Sequence, residues 1–169
     1  LAQKIECSFV IVPAPTIDMK KMADGLDGWE LKEAPERLVS VNGRLKIVIC
    51  REPLAAAACG AELLIGLGGT ANQLCAGLGI PVVSIIERGK LRQKKLLRDA
   101  EILTSPNAHA LADAAEKVLT DPELRCSMQE AGIKNLGRTG ALDKVVEYCG
   151  EELGWDRRCR VYEKYRAYI

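Results

Sequence analysis

Residues 61–81 read Ala61-Glu62-Leu63-Leu64-Ile65-Gly66-Leu67-Gly68-Gly69-Thr70-Ala71-Asn72-Gln73-Leu74-Cys75-Ala76-Gly77-Leu78-Gly79-Ile80-Pro81. The apolar run Glu62 to Gly66 predicts a strand. Gly68 and Gly69 predict a turn, and Thr70 to Leu78 a helix closed by Gly79. A strand that enters a glycine turn and leaves it as a helix is the first part of a βαβ unit, and Pro81 to Ile86 predicts the strand that completes it. Glycine lets a backbone approach a ligand closely. The first-turn N–H groups of the helix, with the positive end of its dipole, then suit a phosphate. On this reading Gly68 belongs to the binding turn, the backbone amides of Gly69 to Ala71 form the cradle, and Thr70 adds a hydroxyl. Asn72 and Gln73 bring side-chain amides for a sugar or ribose. The alternative is a tight turn that needs glycine only for packing. The segment lacks the lysine of a Walker loop and the full G-x-G-x-x-G pattern.

Working outward, strands and helices alternate. Ile5 to Val12 is rich in strand formers and ends at Pro13-Ala14-Pro15. Thr16 predicts a helix cap, with Asp18 in the first turn, for a helix to about Leu26. Trp29–Leu31 and Leu38–Val41 are short strand candidates. Asn42-Gly43 signals a hairpin or a plain turn. Leu45–Cys50 predicts a strand and Leu54–Cys59 a short helix. Beyond the glycine corner come a basic helix from about Lys90 to Arg98, a strand at Glu101–Thr104, and helices over Asn107–Leu119, Pro122–Leu136 and Ala141–Leu153. Asp121-Pro122-Glu123 is a helix start, with Asp as cap and Pro at the first position. Strands without polar alternation, each followed by a helix, predict an α/β fold: a Rossmann-like, doubly wound parallel sheet covered on both faces. Residues 1–153 form that domain and 154–169 a helical tail. Ligands of such sheets bind beyond the carboxyl ends of the strands. That rule selects Pro13–Thr16, Gly66–Gln73, Ile86–Gln93 and Thr104–Asn107.

Composition narrows the function. The 169 residues are 48% hydrophobic, enough for a packed core. With 24 Lys and Arg against 23 Asp and Glu, the net charge of +1 predicts no nucleic-acid partner. No apolar run has the length of a membrane span. The chain opens Leu1-Ala2-Gln3, with neither an initiator Met nor a secretory leader, which predicts a fragment, an excised domain or a processed subunit, soluble and cytoplasmic. None of the seven cysteines forms a C-x-x-C pair, so reduced structural thiols are expected rather than zinc ligands or a disulfide framework. The single His109 builds no metal site or triad alone and is expected on the surface. No metal is predicted.

The string Gly69-Thr70-Ala71, then Ala76, Gly79 and Pro81-Val82-Val83, resembles the donor-binding motif of GT-B-fold glycosyltransferases. Within that group it looks like lipid-A-disaccharide synthase and its synthase-related relatives. The resemblance runs back through Phe9–Thr16 and forward through Leu91–Ala100 and the closing helix pair. It therefore covers most of residues 5 to 153. It implies the C-terminal half of a GT-B fold, which holds the nucleotide of a nucleotide sugar, a UDP-sugar by expectation. The implied activity is sugar transfer to an acceptor, with lipid or glycolipid as one acceptor class. Two features depart from the pattern. Leu74 stands where the broad group commonly places a ribose-binding Glu, with Asn72 or Gln73 as stand-ins. An N-terminal acceptor domain and a first βα unit have no counterpart here, so this chain alone is not expected to turn over.

A second candidate region, Glu87-Arg88-Gly89-Lys90-Leu91-Arg92-Gln93-Lys94-Lys95, follows the strand Pro81–Ile86. Arg92 offers a planar fork for bidentate phosphate contacts, and the resemblance implies that Gln93 touches the donor. Glu87 accepts sugar hydroxyls or pairs with Lys90 on the surface. Lys94, Lys95 and Arg98 read as a solvated face, as do Asp18, Asp24 and Asp27. In the tail, Tyr162, Tyr165 and Ile169 form a helical stripe. It is read as a docking surface for the acceptor half, a packing contact on this domain or on a second copy, or a membrane-surface contact; the missing half is an N-terminal acceptor domain or a partner chain. Two other functions fit the same fold: a nucleotide-sugar 2-epimerase, which needs acid–base residues that are scarce here, and a non-catalytic nucleotide-binding or interaction subunit.

Overall fold

Leu64–Ile65, Val82–Ile85 and Glu101–Thr104 are short runs of strand-forming residues, and they pair side by side as β5, β6 and β7 of a parallel three-stranded sheet. The computed structural model describes residues 1–2, 4–33, 36–40, 45–87, 90–137 and 140–154. Parallel strands need crossovers, and here helices supply them. Gly69–Gly77 (α3) links β5 to β6. Lys90–Leu97 (α4) and the 3-10 turn Arg98–Ala100 link β6 to β7. Val82 and Val83, adjacent in β6, point to opposite faces as the pleat requires. Val82 packs with Ala76, Leu97 and Ala100 from the crossover side. Val83 packs with Val118 and Met128, from Ala108–Thr120 (α5) and Pro122–Leu136 (α6). The sheet is thus flanked by helices on both faces.

The remaining strands form a second sheet, which changes the expectation of one continuous parallel sheet. Its order is β1-β4-β3-β2, with Phe9–Ile11 as β1, Trp29–Glu33 as β2, Glu36–Ser40 as β3 and Lys46–Ile49 as β4. β1 and β4 run parallel, whereas β3 pairs antiparallel with both β2 and β4. The physical reason lies in the Trp29-Glu30-Leu31-Lys32 run, which alternates apolar and polar and so suits a strand with one wet face. Met19–Asp24 (α1) covers the dry face, where Met19, Ala23, Leu38 and Ile49 form a core. The Asn42-Gly43 signal lies outside the described residues. Its flanks nevertheless meet as a hairpin's would: Ser40 N–H donates to Leu45 O at 3.0 Å. The cap of α1 is Asp18, not Thr16. Its carboxylate accepts from the amides of Lys20 and Lys21 at 3.0 and 3.2 Å.

Leu54–Ala58 (α2) packs Ala58 against Cys75 and Ile80. α5 and α6 begin as the sequence predicts, with Asn107 Oδ1 accepting from Ala110 N–H at 2.8 Å and Asp121 Oδ1 from Leu124 N–H at 3.0 Å. α3 and α6 approach so closely that a Cβ on Gly132 would lie 2.2 Å from Ala76 O. That crossing anchors the helix that carries the glycine corner. Leu1–Gly137 form one compact unit and Arg138–Ile169 another. In the second unit, Ala141–Leu153 (α7) is an amphipathic helix whose Val145, Val146, Tyr148 and Leu153 are exposed. The predicted tail stripe at Tyr162, Tyr165 and Ile169 lies outside the described residues. Among the described residues no helix is long and apolar enough to cross a membrane.

Candidate functional site

β5 ends at Ile65, and the chain turns through Gly66, Leu67 and Gly68 into α3. Gly68 is the cap residue, with φ −78° and ψ 139°, and no side chain closes this end of the helix. A helix leaves its first N–H groups without intrahelical partners, and a glycine cap offers no oxygen to satisfy them. The amides of Gly69, Thr70 and Ala71 therefore sit at the positive end of α3, whose first turn carries no acid. Gly68, Gly69 and Thr70 are exposed, while Ala71 and Gln73 are half-buried. A side chain at Gly69 would find only Gln93 Oε1, 4.0 Å away. The corner is open.

Asn72 behaves differently from the expectation of a sugar-binding amide. It is 0% exposed, and its Nδ2 reaches Gly66 O at 3.1 Å, Ser84 Oγ at 2.8 Å and Glu101 Oε1 at 3.1 Å. Ser84 Oγ in turn donates to Gly66 O at 2.5 Å. The carboxamide is committed to the interior and holds Gly66, the first residue after β5, against β6 and β7. Gly66 is required there, since a Cβ would lie 2.3 Å from Asn72 Oδ1. Asn72 Oδ1 and Glu101 Oε2 are buried without a hydrogen-bond partner. Ser84 and Glu101, invisible as site residues in the sequence, are the supports of the corner. One turn further along α3, burial pushes the Cys75 thiol up from its ordinary value, so it stays neutral and inert.

α4 brings its buried side to the same corner. Gln93 Nε2 donates to Gly69 O at 3.3 Å and to Gly68 O at 3.5 Å. Lys90 is buried rather than paired with Glu87 on the surface: its Nζ donates to Gln93 Oε1 at 3.1 Å. Lys90 meets Glu87 through the backbone, its N–H donating to Glu87 O at 3.2 Å. Arg92 and Glu87 are both exposed, and among the described residues neither side chain bonds to the corner. Arg88 and Gly89 lie outside the described residues. Lys94, expected on a solvated face, donates from Nζ to Arg98 O and Glu101 O, which ties α4 to the start of β7. The structure thus gathers Gly68, Gly69, Thr70, Ala71, Gln93 and Lys90, and turns Asn72 inward.

The other expected surface groups stay on the surface. His109, Asp24 and Asp27 are exposed. A groove of about 470 Å³ lies between α1 and β2, lined by Lys20, Asp24, Asp27 and Trp29 among others, and holds none of the candidate residues. Six described cysteines are free, although Cys59 and Cys126 are exposed rather than packed. Among the described residues, no three His, Cys, Asp or Glu side chains gather at a point that could hold a metal ion. No protein-family model, curated protein or solved structure matches this chain.

Proposed function

We propose that this chain is the nucleotide-sugar-binding part of a glycosyltransferase, the C-terminal, Rossmann-like half of a GT-B fold, with the donor diphosphate seated at Gly68–Ala71. The observation that carries the reading is the uncapped start of α3: the first-turn amides of exposed Gly69 and Thr70 and half-buried Ala71, beyond the carboxyl end of a parallel strand. Oxygens of a phosphate accept from such amides, and the helix dipole favours the negative charge. During transfer the same amides stabilise the charge that grows on the leaving nucleotide. Thr70 stands in the first turn with its hydroxyl available. Sugar transfer needs an acceptor and a general base, which a second domain or chain brings to the cleft in this reading.

Calorimetric titration with UDP, GDP and CDP tests the assignment. Binding is expected for at least one nucleotide, and the Gly69→Glu variant should abolish it. Gly69 is exposed, and an added side chain meets only the end of Gln93, so the variant keeps its fold while placing a carboxylate where the phosphate would sit. No binding at millimolar nucleotide, or equal binding by the variant, refutes the corner as the donor site.

A further inference from the structure

Beside the corner lies a buried lysine that forms no ion pair among the described residues. Lys90 is 4% exposed, in a position where lysine is almost never found unless paired. Its ammonium donates to a neutral amide oxygen, Gln93 Oε1, at 3.1 Å. Among the described residues, the ion pairs join Lys4, Lys32, Arg51 and Arg125 to carboxylates, and Lys90 takes part in none. An ammonium carries three donors, so two have no acceptor among the described residues. The same Gln93 reaches the other way, to Gly69 O and Gly68 O at 3.3 and 3.5 Å. One amide therefore ties the buried ammonium to the uncapped end of α3.

The buried carboxylate that supports the corner, Glu101, is bonded through Oε1 to Asn72 and does not accept from Lys90. The helix end is positive, its first turn holds no acid, and the ammonium is out of water. Desolvating a cation is unfavourable unless an anion compensates it, and the helix dipole adds to the imbalance. The space in front of Gly69 is open. We propose that Lys90 is a ligand-binding residue of the corner, donating to a phosphate oxygen of the bound diphosphate while Gln93 holds it in place. This rests on the corner being the phosphate site and names what that site recognises: a multiply charged phosphate group, with the sugar and base contributing elsewhere. Gln93 suits the holding role because it is neutral, which leaves the ammonium's charge for the ligand. Arg92 is not needed for it.

The test uses the full chain, with UDP, inorganic pyrophosphate and uridine as probes, in calorimetry and thermal unfolding. Wild type should bind UDP and pyrophosphate, and uridine far more weakly. Lys90→Met and Lys90→Gln should each lower UDP and pyrophosphate affinity about tenfold or more, the loss expected for one charged hydrogen bond. Both variants should unfold at or above the wild-type temperature without ligand, because each removes a buried unpaired charge. Pyrophosphate should raise the unfolding temperature of wild type and not of the variants. If both variants bind UDP as wild type does while Gly69→Glu does not, the Lys90 assignment falls and the corner stands. If both variants fail to fold or unfold well below wild type, Lys90 is structural and the proposal is overturned. If wild type binds neither UDP nor pyrophosphate, the corner itself is wrong and the proposal goes with it.

Discussion

Replacing Asn72 with alanine should show what holds the glycine corner in place. The change removes one NH2 group that reaches Gly66 O, Ser84 Oγ and Glu101 Oε1. Gly66 O keeps its bond from Ser84, so that acceptor survives. Glu101 is the group left exposed to the loss: it is 1% exposed, Asn72 is the partner of its Oε1, and its Oε2 has none. Orphaning a buried acceptor costs about 1–3 kcal/mol, and more when it is charged. The side-chain atoms removed from a fully buried site leave a void that adds to this. A total near 3 kcal/mol follows, equivalent to about 6–12 °C in unfolding temperature for a chain of this size, read by circular dichroism. The decisive arm is the double variant Asn72→Ala, Glu101→Met. Removing the carboxyl as well leaves no orphan to desolvate, so the double variant should be more stable than Asn72→Ala alone. A single-variant loss below about 0.5 kcal/mol, or a double variant less stable than the single, refutes the argument.

The α3–α6 crossing should be intolerant of one methyl group: Gly132→Ala puts a Cβ 2.2 Å from the backbone oxygen of Ala76, and overpacking of about 1–3 kcal/mol or more should appear in urea unfolding. Thiol labelling of the native protein with iodoacetamide should modify exposed Cys59 and Cys126 and spare Cys75, whose thiol burial pushes up; Cys75 should react only after unfolding. Arg51 donates to both oxygens of Glu36 and holds its carboxyl below the usual range. A carboxyl lowered in the fold stabilises it above the unfolded value, about 4.3, and that contribution is lost as pH falls through the folded value. Arg51→Gln should therefore unfold earlier than wild type at neutral pH, with the gap closing in acid.

The β5–α3–β6 unit is legible in the sequence because each of its parts carries a local signal. Leu64-Ile65 and Pro81–Ile86 lack polar alternation, and glycines bracket the helix between them. The cap Asp121 is legible for the same reason, since capping is decided within three residues. The hairpin of β2 and β3 is harder to place. Trp29–Lys32 alternates as an exposed strand does, but Ala34-Pro35 interrupts the run, and the parallel pairing of β1 with β4 is a long-range choice. Asp18 displaces Thr16 as cap because the helix starts at Met19, two residues later than a cap at Thr16 would place it. The roles of Asn72 and Lys90 carry no local signal at all. A first-turn Asn reads as a ligand group and a Lys in a basic run reads as solvated. Only the packing of α3 on β6 and of α4 on the corner turns both inward.

A backbone amide titration with UDP, followed by two-dimensional proton–nitrogen NMR, measures the corner directly. The account predicts that the resonances of Gly69, Thr70 and Ala71 move most and saturate together, with Gln93 moving beside them. Saturating shifts confined to residues of the α1–β2 groove, or none anywhere at millimolar UDP, would contradict it.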